Sequence, residues 1–209
     1  MKHKTILILT DSVALPREAA KTTWEDTYIF KLKEHFKDFQ IINVSIGGAS
    51  IVDIKNQIFY YKMLNPEIVI LQCGIVDAAP RAFGRIEMAI IKKTHLFRLT
   101  KPFVSIFRKY RKHHYCDLKN FHLHLKTMKR ELKTNQFYSI GILPASLDYE
   151  KNLPGVKKSI DKYNAILQKE TIFFSTAKIP QKGIMKDHHH VNKIGLNYIF
   201  NLIIDNIDY

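Results

Sequence analysis

Two stretches at opposite ends of the chain carry groups that can do chemistry together: Thr10-Asp11-Ser12 and Asp187-His188-His189-His190. A serine hydroxyl is a weak nucleophile at neutral pH. It attacks a carbonyl carbon when a base takes its proton, an acid orients that base and amide N–H groups receive the oxyanion. Asp187 and His190, three residues apart in a tight turn, can hydrogen-bond, which leaves one ring nitrogen free as the base. Ser12, placed between a strand and a helix, would face the free N–H groups of that helix. Taken alone it reads first as a plain helix cap.

Other residues could complete such a site. Ser45-Ile46-Gly47-Gly48-Ala49-Ser50 has glycines that let amides approach a ligand closely, or that simply make a turn. The stretch from Gly74 to Arg81 sets Asp77 and Arg81 beside one face. Three consecutive histidines invite a metal reading. Neighbouring side chains on an extended segment point to opposite sides, however, and neither a nearby cysteine nor an HExxH spacing is present, so no metal is expected.

These residues need a scaffold that gathers them. Apolar runs at 5–9, 41–44, 67–72, 138–143 and 171–174 read as strands. Helical patterns cover 15–36, with Trp24, Tyr28, Leu32 and Phe36 at a spacing of four, then 51–64, 156–168 and 191–207. Asn65-Pro66 stops the helix at 51–64. Strands that alternate with helices imply parallel pairing through right-handed crossovers. The expected fold is a three-layer α/β/α sandwich around a mostly parallel five-stranded sheet. Ligands bind past the carboxyl ends of such strands, which is where Ser12, Gly48 and Asp77 fall. Residues 85–135 are too long for a plain connection and read as a basic helical insertion or lid on a single domain spanning 1–209.

The length of 209 residues suits one domain with a substantial core, and 46% hydrophobic with 25% charged residues is the composition of an ordinary globular protein. Cys73 and Cys116 are too few for a disulfide scaffold, so a reducing compartment is expected. The first apolar run ends at Asp11 with no small-residue cleavage site and is too short to span a bilayer. The expectation is a cytoplasmic location. Peripheral contact with the inner membrane is open through Phe103, Val104, Ile106 and Phe107, set among Lys101, Arg108 and Lys109.

Charge is concentrated. Between Arg85 and Lys133, fourteen lysines and arginines stand against Glu87, Asp117 and Glu131, so +11 of the net +14 lies there. Such a field attracts an anionic glycan or an anionic membrane surface, with nucleic acid the least expected partner, or it is only a solvated helical face.

With these residues in order, the chain resembles the SGNH/GDSL hydrolase family. The first block of that family, usually Gly-Asp-Ser, is similar to Thr10-Asp11-Ser12. The next block is similar to residues 43–50, with Gly48 matching the oxyanion glycine. A further block, normally Gly-x-Asn-Asp, is similar to Gly74-Ile75-Val76-Asp77. The final block, Asp-x-x-His, is similar to Asp187 to His190, followed by Asn192 and Gly195. Two departures stand out. Thr10 replaces a glycine, and Val76 stands where the family places an asparagine that donates to the oxyanion. Arg17 and Arg81, each in a Pro-Arg pair, resemble a subgroup associated with bacterial surface-polysaccharide gene clusters. They could replace the lost donor, bind a carboxylate bidentately, or pair with Asp11 and Asp77.

The resemblance implies a flavodoxin-like SGNH fold and a serine-dependent ester hydrolase acting through Ser12, His190 and Asp187, with the Ser12 and Gly48 amides as the oxyanion hole. Asp11, Arg17, Asp77 and Arg81 are candidate substrate contacts. The subgroup points to an O-acylated carbohydrate, with acetyl as the acyl group. Hydrolysis needs no cofactor. An O-acetyltransferase on the same residues would need a donor such as acetyl-CoA. A different class is also open: a weakly active or inactive chain of this fold that binds an anionic partner.

Overall fold

The computed structural model describes residues 4–94, 96–111 and 113–207, leaving out the side chains of Arg85, Lys92, Phe97, Leu99, Lys101, Ser105, Ile106 and Lys109. Five strands, β1 (Lys4–Thr10), β2 (Phe39–Ser45), β3 (Ile68–Gln72), β4 (Gln136–Ile140) and β5 (Ile172–Phe174), form one sheet in the order β2-β1-β3-β4-β5. Every pairing is parallel, and Ile8 sits between Asn43 and Ile70. The central strands β1 and β3 are almost wholly buried, as continuous apolar runs covered on both faces must be.

The helices are α1 (Tyr28–His35), α2 (Ile51–Tyr61), α3 (Ile75–Ala78), α4 (Arg85–Lys93), α5 (Phe97–Thr100), α6 (Val104–Arg111), α7 (Leu118–Leu132), α8 (Leu147–Asn152), α9 (Val156–Glu170) and α10 (Lys193–Ile204). Strand alternation divides the core in two. Leu7 and Leu9 pack with Ile54 of α2, Phe121 and Leu125 of α7 and Ile160 and Tyr163 of α9. Ile6 and Ile8 pack on the opposite face with Tyr28 and Leu32 of α1 and Ile199 and Ile203 of α10. This is the expected α/β/α sandwich.

Residues 118–132 lie inside the span expected as an insertion, yet α7 is a core crossover helix. Its Phe121, Leu125, Met128 and Leu132 are buried at helical spacing, each worth about 1.5–3 kcal/mol. Its basic residues fall on the outer face, which concealed this role among the other charges of the segment. Residues 85–111 do stand apart. Ala82, Phe83 and Ile91 make a small cluster of their own with Met88, Val104 and Phe107, and Arg111 pairs with Glu87 at 2.6 Å. Of the expected membrane-facing residues, Phe103 is exposed while Val104 and Phe107 lean on that cluster; the side chains of Lys101, Ile106 and Lys109 lie outside those described. Among the described residues no helix is long and apolar enough to cross a membrane.

The helix expected over 15–36 is shorter. Between Ser12 and Tyr28 the chain makes two single 3-10 turns, closed by Lys21 at φ +50° and by the Arg17 N–H donating to the Thr22 hydroxyl. Thr27 then caps α1 through Phe30 N–H at 3.2 Å. Tyr28, Leu32 and Phe36 are buried as their spacing implies, while Trp24 packs before the helix begins. β4 also stops three residues early, because the Asn164 amide takes both backbone groups of Ile142.

Candidate active site

Four chain segments meet beyond the carboxyl ends of β1 and β3. Asp11 extends β1 by donating its N–H to Gln72 O of β3, and its carboxylate accepts from Val13 N–H at 3.0 Å. That cap bends the chain into one 3-10 turn and lifts Ser12 above the sheet. The next segment is pinned beside it. Ile46 N–H donates to Thr10 O, and the Thr10 and Ser45 hydroxyls meet at 2.7 Å. Gly48 then turns with φ +71°, a conformation that a β-carbon makes costly.

The third segment is a tightly bonded loop before α10. Ile184 bridges Val191, Met185 N–H donates to His190 O, and Asn192 caps α10 through Ile194 N–H at 2.9 Å. Gly183 and Gly195 touch: a β-carbon on Gly195 would lie 2.5 Å from Gly183 O and 2.6 Å from the Val191 β-carbon. This close contact of loop and helix fixes where His190 stands. Its Nε2 lies 2.9 Å from Ser12 Oγ, and its Nδ1 lies 2.8 Å from Asp187 Oδ2. Asp187 Oδ1 also accepts His190 N–H at 3.1 Å, so the carboxylate grips the histidine by ring and backbone.

The electrostatics suit a neutral base. Burial lowers the His190 pKa below its usual 6.5, and the charges of His189 and Arg17 act the same way, against the Asp187 carboxylate. For Asp187, burial would raise the carboxyl, but the hydrogen bonds from His190 and His189 outweigh it and hold it below 3.8. At neutral pH the pair is therefore an imidazole beside a carboxylate.

The three histidines part company. His188 adopts φ +68° and stacks on Tyr149 with ring centroids 5.2 Å apart. His189 bends back so that its Nδ1 lies 2.6 Å from Asp187 O. Asp187, His189 and His190 present ligand atoms within 4.8 Å of one another, a cluster that shares two members with the Ser12 chain of hydrogen bonds.

No described residue accepts a hydrogen bond from the Ser12 or Gly48 amide, and both residues line a cavity of about 580 Å³. The expected long helix behind Ser12 is absent, so these donors are turn amides and not a helix end. Val76, in the first turn of α3, lines the same cavity with no side-chain donor.

The four substrate candidates separate. Arg17 and Arg81 line the cavity; Asp11 and Asp77 are buried and do not. Asp11 serves the Ser12 turn, and burial pushes its carboxyl up to about 7, against the Val13 N–H and Arg17. Asp77 accepts Ile51 N–H at 2.9 Å, tying α3 to the start of α2. The described side-chain hydrogen bonds of the arginines run to backbone carbonyls. Arg17 Nη2 donates to Ser12 O at 3.0 Å, while Arg81 reaches Val76 O at 3.5 Å and lies 4.9 Å over the Tyr115 ring. Sequence reasoning missed Arg108 of α6 and Tyr149 of α8 as cavity residues. One arginine among fourteen basic residues carried no signal, and nothing marked Tyr149.

No protein-family model and no curated protein matches the chain. Solved structures do. A lipase/acylhydrolase from Enterococcus faecalis superposes with a TM-score of 0.69 at 14% identity, over 98% of this chain and 95% of its own. An acetyl xylan esterase, AlAXEase, gives 0.64 at 15% identity over 98% and 100%. A GDSL-like lipase from Bacteroides thetaiotaomicron gives 0.60 at 14% identity over 98% and 87%. The chain therefore has the fold of the GDSL/SGNH hydrolases along nearly its full length.

Proposed function

We propose that the chain is a serine-dependent ester hydrolase. The observation that carries this reading is the unbroken line from Ser12 Oγ to His190 Nε2 at 2.9 Å and from His190 Nδ1 to Asp187 at 2.8 Å, set in a cavity on a hydrolase fold. Ser12 gives its proton to His190 Nε2 as its oxygen bonds to the ester carbon. Asp187 accepts the Nδ1–H and stabilises the imidazolium that forms. The Ser12 and Gly48 amides hold the oxyanion. His190 then protonates the leaving alcohol. Water, deprotonated by the same ring, cleaves the acyl-serine and restores the hydroxyl. Nothing in this sequence of steps calls for a metal or an organic cofactor.

For the natural substrate we favour an O-acetylated carbohydrate. The Pro-Arg pairs support that choice, as does the likeness of fold to an acetyl xylan esterase. A sugar hydroxyl in place of the final water would make the same residues an O-acetyltransferase, with acetyl-CoA as a donor. Turnover of 4-nitrophenyl acetate by wild type, Ser12→Ala and His190→Ala, with acetyl-CoA consumption assayed beside it, tests the reading. Loss of turnover in both variants supports it; equal rates in all three oppose it.

A further inference from the structure

We propose that the ester taken by this cavity carries an anionic group, a carboxylate or a phosphate close to the scissile bond, held by Arg17, Arg81 and Arg108. The proposal rests on the hydrolase reading above and names its substrate class.

Three guanidinium groups from three separate segments line the cavity that contains Ser12 and His190. Arg17 comes from the turn after β1, Arg81 from the loop after α3, and Arg108 from α6 in the basic segment. The only carboxylate lining the cavity among the described residues is Asp187, which His190 already engages. Each arginine also keeps its Nε buried with no hydrogen-bond partner among the described residues. Buried donors are normally paired, and three cations gathered at one cavity are costly unless a counter-charge completes them. A bidentate anion fits that need, because the guanidinium fork matches carboxylate and phosphate oxygens.

The surroundings restrain two of the three groups for this task. Arg17 is held to Ser12 O, and Arg81 is held between Val76 O and the Tyr115 ring, so two forks are oriented before any ligand arrives. Tyr149 lies against the same field: burial raises its phenol, while Arg81 and Arg108 act in the opposite direction. The basic segment then has a local role. It sends one arginine, Arg108, into the cavity, and the rest of its charge steers anions toward it.

The test compares acetate release from phenyl acetate, 4-acetoxybenzoate and 4-acetoxyphenyl phosphate, each rate divided by that compound's rate with hydroxide. Wild type is expected to prefer an anionic ester by at least tenfold in kcat/KM. Arg81→Gln and Arg108→Gln should each cut that ratio by about tenfold or more, the scale of one charged hydrogen bond. Raised salt should shrink it further. The carboxylate and phosphate arms decide which anion the site favours. Melting temperatures of the variants separate lost selectivity from lost folding.

Calorimetric binding of 4-hydroxybenzoate and inorganic phosphate to Ser12→Ala protein stands apart from turnover. Arginine-dependent binding without turnover of any ester would support the anion site and remove the hydrolase reading. Equal corrected rates for all three esters, with ratios and binding unmoved by Arg108→Gln, would overturn the proposal.

Discussion

The Arg17 guanidinium donates to the backbone carbonyl of Ser12 at 3.0 Å, so a cation is fastened to the peptide of the proposed nucleophile. Burial lowers the His190 pKa, and the charge of the same cation adds to that lowering. One residue thus bonds the peptide of the proposed nucleophile and acts by its charge on the base, without lying in the line between them, and its removal should be read in the pH profile.

The proposed mechanism requires neutral His190, so kcat/KM should rise with pH through the folded His190 pKa, below 6.5, and level off above it. Arg17→Gln removes one of the charges that depress that pKa. The acid limb is then expected to move to higher pH, measured with a neutral ester. An acid limb unmoved by Arg17→Gln would break the electrostatic link.

On the proposed mechanism, Val76 leaves the oxyanion with two amide donors where a third, from a side chain, could stand. One such donor is commonly worth on the order of 100- to 1000-fold in rate. Val76→Asn should therefore raise kcat by about tenfold or more, with KM nearly unchanged. A level kcat would count against a missing third donor at this position.

Asp11 couples pH to stability. Its folded pKa of about 7 lies above its unfolded 3.8, so the fold favours the protonated form. That stabilisation is fully present below pH 3.8 and is lost as pH rises through about 7. Asp11→Asn keeps the acceptor for Val13 N–H and removes the buried charge. Near pH 8 the variant should be more stable than wild type by up to roughly 4 kcal/mol, with the gap closing toward pH 4, as read by denaturant titration.

Gly195→Ala places a carbon 2.5 Å from Gly183 O, against backbone that cannot swing aside. The variant is expected to lose about 1–3 kcal/mol of stability, and more activity than stability at a temperature where it remains folded, because α10 and the His190 loop separate. Thermal melts and ester turnover on one preparation would show whether the two losses divide in that way.

Much of this was legible in the sequence because the parallel sheet leaves continuous apolar runs, and because chemistry at strand ends needs few residue types in a fixed order. Ser12, Asp187 and His190 come together as that order implied. The 3-10 turns before Tyr28 were not legible: Trp24 continues the apolar spacing of α1, but a bond from Arg17 to Thr22 closes the chain before it. α7 was hidden by its own charge, since lysines on an outer face say nothing of Phe121 and Leu125 beneath. Asp11 and Asp77 had the character of ligand-facing acids, yet each gives one carboxylate oxygen to a backbone N–H group, a role that only the turn geometry reveals.

On the proposed mechanism Ser12 becomes covalently acylated through His190. Incubation with an aryl phosphonate, which traps activated serines, followed by peptide mass analysis, tests this most directly. One adduct is expected, on Ser12, absent in Ser12→Ala and slowed by more than about 1000-fold in His190→Ala. An unlabelled wild-type Ser12, or labelling at the same rate without His190, would contradict it.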